Sequence, residues 1–208
     1  MRLYLSSYRV PVADELLSLY QEDTRTAIIT NAKDYKTAED FELKVSSLES
    51  YLGSLSLHTE RMDLRTFNSP DAVEASLAGF NAVFVAGGNS FALRYAMRQS
   101  GFDQVIGRLV RNGLLYIGES AGAINAGVTL KKAEIVDDES VVPEVIYDGL
   151  GLADIIVVPH ADSSDAAVLN GAAKMRGFYA DDNRLRVLND NQALIIVDGV
   201  ERIVSASA

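Results

Sequence analysis

Short, almost unbroken apolar runs recur along this chain, and helical patterns separate them. Leu3–Leu5, Thr26–Thr30, Leu57–Met62, Ala82–Val85, Leu114–Ile117 and Ile155–Val158 read as strands. Several lack the apolar-polar alternation of a half-solvated strand, so they need cover on both faces. Alternating strands and helices of this kind predict an α/β fold of three layers, a mostly parallel sheet with helices on either side. Ala38 to Leu52 is one amphipathic stretch, with apolar residues at Phe41, Leu43, Val45, Leu48 and Leu52. Phe91–Met97 and Phe102–Val110 are two shorter ones, divided at Gly101, where Ser100-Gly101 makes a natural helix stop. Late in the chain Leu185–Leu188, Ala193–Val197 and Arg202–Val204 read as strands, and Asp198-Gly199 between the last two predicts a tight hairpin and an antiparallel edge. With no internal repeat or linker composition, residues 1–208 are expected to form one domain.

Composition removes whole classes of chemistry. The chain has no cysteine, which excludes disulfide scaffolds, thiolate zinc sites and cysteine nucleophiles. Its two histidines, His58 and His160, cannot build a polyhistidine metal centre, and neither metal nor cofactor is expected. With 19 Lys+Arg against 29 Asp+Glu, the net charge of −10 opposes a nucleic-acid partner. The start, Met1-Arg-Leu-Tyr-Leu-Ser-Ser, lacks a signal-peptide apolar run, and no stretch is apolar enough to span a membrane. The expectation is a soluble, cytoplasmic monomer or homodimer.

The segment with most chemical content is Leu114-Leu-Tyr-Ile-Gly-Glu-Ser-Ala-Gly-Ala-Ile-Asn125, an apolar strand entering Gly118-Glu-Ser-Ala-Gly122. Gly-x-Ser-x-Gly at a strand-to-helix turn is a nucleophile elbow, in which glycines let the backbone close around a strained serine. Such a turn lifts the Ser120 hydroxyl above the sheet and aims the Ala121 N–H at a developing oxyanion. A plain turn with a serine N-cap is the alternative. A second turn, Gly87-Gly88-Asn89-Ser90 after Val83–Ala86, could supply the other oxyanion donor from Gly88, with Asn89 capping the next helix or contacting substrate. It fits neither the dinucleotide fingerprint nor a lysine-bearing phosphate loop.

A serine needs a base. His160 ends Ile155-Ile-Val-Val-Pro-His160, at the carboxyl end of a strand, where the active sites of open α/β sheets collect. His58 sits in an alternating pattern and is expected to face solvent. The acid that would orient the imidazole is open: Asp162, Asp165, Asp181, Asp182, Asp190 and Asp198 all follow His160, and Asp190 lies between two strands. Asp137-Asp138-Glu139 reads as a solvated loop, and Tyr4, Phe84 and Tyr116 read as core.

The order Ser, His, acid differs from that of α/β-hydrolases. Phe84-Val-Ala-Gly-Gly-Asn-Ser-Phe91, Tyr116-Ile-Gly-Glu-Ser-Ala-Gly-Ala123 and Val158-Pro-His160 together resemble the peptidase E family of serine peptidases, peptidase family S51, which includes cyanophycinase. The resemblance spans about residues 80–197. It implies a fold like that of class I glutamine amidotransferases, and cofactor-free hydrolysis of a short peptide, typically a dipeptide with N-terminal aspartate. The matching positions are Ser120, His160 and Asp190, with Gly88 and Ala121 as oxyanion donors. Two departures stand out. Glu119 replaces the tryptophan usual before the serine and could tune the imidazole or meet a substrate amine. The segment after His160 lacks the family's second histidine, so Arg176 is the nearest candidate for an acidic substrate. The alternatives are a catalytically weak metabolite-binding protein on the same fold, or a hydrolase of another amide or an ester.

Overall fold

A computed structural model describes residues 1–21 and 23–206. Five strands run parallel: β1 (Arg2–Ser6), β2 (Thr26–Ile29), β3 (Thr59–Arg61), β4 (Ala82–Val85) and β5 (Leu115–Glu119). β8 (Gln192–Val197) and β9 (Val200–Ser205) extend the same sheet antiparallel, giving the order β3-β2-β4-β5-β1-β8-β9. Asp198 and Gly199 both take positive φ in the two-residue connection, the geometry that matches strand twist in a tight hairpin. The Asp198 carboxylate also accepts from the N-terminal amine of Met1 at 2.8 Å, tying the hairpin to the start of β1.

Alternation along the strands divides the core in two. Leu3, Leu5, Val83, Val85 and Tyr116 face one side of the sheet, where α3 (Pro70–Leu77), α4 (Ser90–Ser100) and α5 (Phe102–Arg111) cover them. Tyr4, Ile28, Phe84 and Ile117 face the other, under α1 (Ala13–Leu17) and α2 (Ala38–Ser54). Three layers result, as the apolar runs require, and Tyr4, Phe84 and Tyr116 are buried. Helix starts follow capping chemistry: Thr37, Ser69 and Asn89 each accept a hydrogen bond from a first-turn N–H, and Pro70 takes the first helical position after Ser69. Gly101 adopts φ 81° between α4 and α5, ending one helix and opening the next. No helix of the described residues is long and apolar enough to cross a membrane.

The strand expected at Ile155–Val158 is not in the main sheet. β6 (Ile156–Val158) pairs in parallel with β7 (Leu185–Val187) in a separate two-stranded sheet. Its continuous apolar character has a different cause: it packs between α6 (Ala121–Ala126) and α7 (Ala166–Phe178), and a third core of Phe91, Ile124, Val158, Ala172 and Met175 forms there. Both interior neighbours of β5 are already taken by β4 and β1.

The small sheet depends on one polar turn. Asp182 accepts from the Arg184 N–H at 3.0 Å and from its guanidinium at 2.7 and 2.9 Å, while the Arg184 carbonyl accepts from Ile156 N–H. These bonds hold the Asp182 carboxyl down at about 2, against an ordinary 3.8. A lowered carboxyl stabilises the fold above the unfolded value, and the gain is lost as pH falls through the folded one. Asp182→Asn is therefore expected to lower the Tm at neutral pH by a few degrees at most, this being a half-exposed pair at the surface. In melts at a series of pH values the gap to wild type should narrow progressively below pH 3.8, and an undiminished gap at pH 2 would contradict this account.

Candidate active site

Ser120 sits between β5 and α6 with φ 48° and ψ −105°. A non-glycine residue occupies such backbone only when its surroundings enforce it. Its N–H donates to the Ser6 carbonyl at 2.9 Å, at the carboxyl end of β1, and the Tyr116 hydroxyl donates to the Gly122 carbonyl at 2.8 Å. Gly122 packs so closely on β4 that a Cβ there would collide with the Val85 carbonyl. The elbow expected from Gly118-Glu-Ser-Ala-Gly122 is thus formed, with the hydroxyl partly exposed.

His160 follows β6 at φ 63°. Its Nε2 lies 2.9 Å from Ser120 Oγ, and its Nδ1 lies 2.6 Å from Asp190 Oδ1. With the proton on Nδ1, the ring donates to Asp190 and accepts from the Ser120 hydroxyl, the tautomer that general-base chemistry needs. Of the six aspartates that follow His160, Asp190, between β7 and β8, is the one that meets the imidazole. Asp162, another of the six, holds that loop: its Oδ1 accepts from the Asp190 N–H at 2.6 Å. His58 is exposed just before β3, as expected.

Ser7 joins this chain without having stood out in the sequence. It is fully buried; its hydroxyl donates to Asp190 Oδ1 at 2.9 Å and accepts from the His160 N–H at 2.7 Å. One side chain thereby fixes both the acid and the backbone of the base. Its position just past β1, on the same sheet edge as Ser120, is the signal that could have found it.

The glycine turn after β4 is clamped from both ends. The Gly87 N–H donates to Glu119 Oε2 at 3.1 Å, and Lys33 Nζ donates to the Gly87 carbonyl. Peptide planarity then turns the Gly88 N–H to the side opposite Lys33. Gly88 adopts φ 146°, and a Cβ there would strike the Ala32 carbonyl. Among the described residues neither the Gly88 N–H nor the Ala121 N–H donates to another atom, and Gly88 and Ser120 line the same cleft. Two free donors beside a hydroxyl can receive an oxyanion.

Of three expected substrate contacts, two hold backbone and one lies away from the cleft. Asn89 is buried and held at both ends: its Oδ1 caps α4 through Phe91 and Ala92 N–H, and its amide donates to the Asp138 carbonyl. Arg176 is exposed on α7 and lines neither lobe of the cleft, because the face of α7 turned inward carries Ala172 and Met175. Glu119 lines the cleft but makes no bond to His160 among the described residues; its Oε1 accepts from the Arg9 N–H at 3.0 Å, so both oxygens brace backbone. The acidic run is also not simply solvated. Asp137 is half-buried and accepts from the Ser90 N–H at 2.9 Å, and burial pushes its carboxyl above the usual range while Ser90 and the charge of His160 pull it down.

The cleft has two lobes that share Tyr8, Gly88, Ser120 and His160. The larger, about 410 Å³, is walled by Ile124, Val136, Val168, Ala172 and Met175, with Asp137 at its side. The smaller, about 340 Å³, is lined by Arg9, Lys33, Lys44 and Glu119. Volumes of this size suit small ligands.

Comparison with known proteins agrees with the fold and the motifs. The chain is 29% identical over 188 residues to an uncharacterized peptidase of Listeria monocytogenes, covering 90% of this chain and 88% of the relative. It is 34% identical over 99 residues to peptidase E of Streptomyces coelicolor, covering 48% of this chain and 40% of that one. Its fold is similar to the crystal structure of a candidate peptidase E from Listeria monocytogenes EGD-e, with a TM-score of 0.81 at 22% identity over 99% of this chain and 98% of the other. A peptidase from an acI-B1 actinobacterium superposes with a TM-score of 0.72 at 17% identity, over 98% and 87%. The sequence profile of Peptidase family S51 matches residues 6–204, and the chain belongs to that family of peptidases.

Proposed function

We propose that this peptidase is of the serine type and cleaves short peptides, with Ser120 as nucleophile, His160 as general base and acid, and Asp190 as the carboxylate that orients the imidazole. The observation that carries the reading is the hydrogen-bonded line Ser120 Oγ, His160 Nε2, His160 Nδ1, Asp190 Oδ1, at 2.9 and 2.6 Å. Ser120 Oγ attacks the scissile carbonyl as Nε2 takes its proton. The oxyanion is held between the Gly88 and Ala121 N–H groups, whose dipoles are fixed before the substrate arrives. The imidazolium, steadied by Asp190, returns the proton to the leaving amine, and water repeats the cycle on the acyl-serine. Every step uses this chain's own groups.

The small volume of each lobe, about 410 and 340 Å³, favours a peptide of a few residues over a folded protein. A preference for N-terminal aspartate requires a cation near Ser120. Arg176 does not supply it, and among the described residues the cations lining the cleft are those of the smaller lobe. The alternative of a catalytically silent binding protein draws on Glu119 and on the missing substrate arginine; the bonds of Glu119 to Arg9 and Gly87 give that residue a structural task and remove the first of these grounds.

A fluorophosphonate probe should label wild-type protein at Ser120, and Ser120→Ala should abolish labelling and cut hydrolysis of a dipeptide panel by roughly a thousandfold or more. An alanine variant as active as wild type would remove the nucleophile assignment. Asp190→Asn should lower kcat by about 10³–10⁴, because the amide permits the wrong tautomer. Ser7→Ala, which keeps all three groups but frees Asp190 and the His160 backbone, should reduce both kcat and the probe-labelling rate about tenfold, with an unchanged circular dichroism spectrum. Equal labelling rates would show that Ser7 contributes packing alone.

A further inference from the structure

We propose that Glu119 is a positioning residue that keeps the two halves of the catalytic apparatus aligned, the oxyanion donor of Gly88 on one side and the group of Ser7, His160 and Asp190 on the other. The inference rests on the peptidase reading above and adds to it what the residue next to the nucleophile does for the reaction.

Glu119 ends β5, the strand that leads into Ser120, and β5 lies between β4 and β1 in the sheet. Each of those neighbours runs out into a turn that carries part of the machinery. After β4 comes Gly87-Gly88, with the oxyanion donor. After β1 comes Ser7-Tyr8-Arg9, with the hydroxyl that meets both His160 and Asp190. The Glu119 carboxylate reaches both turns: its Oε2 accepts from the Gly87 N–H at 3.1 Å and its Oε1 from the Arg9 N–H at 3.0 Å. Among the described residues neither N–H has another acceptor, so the carboxylate is the bridge between the two turns.

Both turns need such a hold. Arg9 adopts φ 56°, a backbone that residues other than glycine take only when their surroundings enforce it. The Ser6 hydroxyl donates to its carbonyl at 2.6 Å, and Glu119 takes its N–H. Ser7 stands two residues before Arg9, so freeing Arg9 loosens the segment that places the imidazole and its acid. On the other side the glycine turn lies directly against the elbow: a Cβ on Gly87 would come within 3.1 Å of Ser120 Cβ and 3.5 Å of the Glu119 carboxyl carbon. The N–H of Gly87 belongs to the peptide before it and the carbonyl to the peptide after it, so Glu119 and Lys33 fix successive peptides of this turn. An ionised carboxylate suits the task because it offers acceptors only, one oxygen to each N–H, whereas an amide must turn its NH₂ group toward one of them. Glu119 is only 7% exposed, which makes these bonds strong and the loss of either costly.

Glu119→Gln keeps the shape of the side chain but accepts from only one of the two N–H groups. Wild type and variant are compared in kcat on a dipeptide that wild type cleaves, in the rate of fluorophosphonate labelling, and in inhibition by the aminoboronic acid matching the N-terminal residue of that dipeptide. The boron takes the Ser120 oxygen to form a tetrahedral anion, so its affinity reads the oxyanion site. Calorimetric Kd of the intact dipeptide is measured on Ser120→Ala with and without Glu119→Gln. The expected result is a fall of about tenfold to a hundredfold in kcat, labelling rate and boronate affinity alike, with Kd unchanged to within about twofold, because the bridge acts on the transition state. A variant that loses thermal stability but keeps all three rates and affinities would have a structural role only, and a Kd that rises in step with the fall in kcat would mark a substrate contact; either overturns the proposal. Because the bridge reaches His160 and Asp190 through Ser7, the labelling losses of Glu119→Gln and Ser7→Ala should combine to less than their product. Losses that multiply in full would overturn it as well. All of these count against the positioning role alone, since wild type is labelled in each; wild type that neither cleaves a dipeptide nor takes the probe would instead remove the peptidase reading on which this one stands.

Discussion

The backbone of Ser120 is the constraint from which the rest of the site follows. Holding a serine at φ 48°, ψ −105° costs on the order of 1–3 kcal/mol, and the sheet beneath it supplies the means. β1 receives the Ser120 N–H, β4 takes the close approach of Gly122, and the Tyr116 hydroxyl of β5 caps the Gly122 carbonyl. Three adjacent parallel strands therefore have to be in register before the hydroxyl can project from the edge. Once it does, the position of the imidazole is set to within a hydrogen bond, and those of Asp190 and Ser7 follow from it.

The electrostatics of the cleft run against those of the molecule. A strongly acidic surface surrounds a site whose smaller lobe carries net positive charge and whose larger lobe is mostly apolar. Over distances beyond about 10 Å the surface charge is screened by salt, whereas groups within the cleft act through little solvent. Lys33 and Glu119 gain a second role from this proximity. They brace the two ends of Gly87, so the same charges that line the lobe also hold the orientation of the Gly88 peptide.

What could be read from the chain was whatever local pattern encodes. The elbow, the Gly87-Gly88 turn and the Asp198-Gly199 hairpin each depend on glycine at a place where backbone crowding or positive φ demands it, so their motifs carry the geometry with them. His160 was legible from its place after an apolar strand, even though that strand lies in the small sheet. Periodicity says that a run is buried but not by what, which is why Ile155–Val158 was expected in the main sheet. Arg176 misled for a related reason: proximity in sequence to the site does not say which face of α7 turns inward. Ser7, Arg9 and Lys33 left no periodic trace, since they sit in turns after β1 and β2 and gain their meaning from partners far along the chain. Asn89 was ambiguous because capping and substrate binding use the same side-chain chemistry, and Asp137 read as solvated because an acidic run does not show which of its members turns inward to Ser90.

The bond pattern of Ser7 also sets an order on the making of this protein. Ser7 directly follows the first strand, yet its two partners, His160 and Asp190, come from the last quarter of the chain, and its own N–H donates to the Gln192 carbonyl at the start of β8. All the residues of the elbow, from β1, β4, β5 and α6, precede residue 127. Its serine has no base until residue 160 and no oriented base until residue 190. The hydroxyl is thus an ordinary alcohol from the moment residue 120 is added until residue 190 follows it.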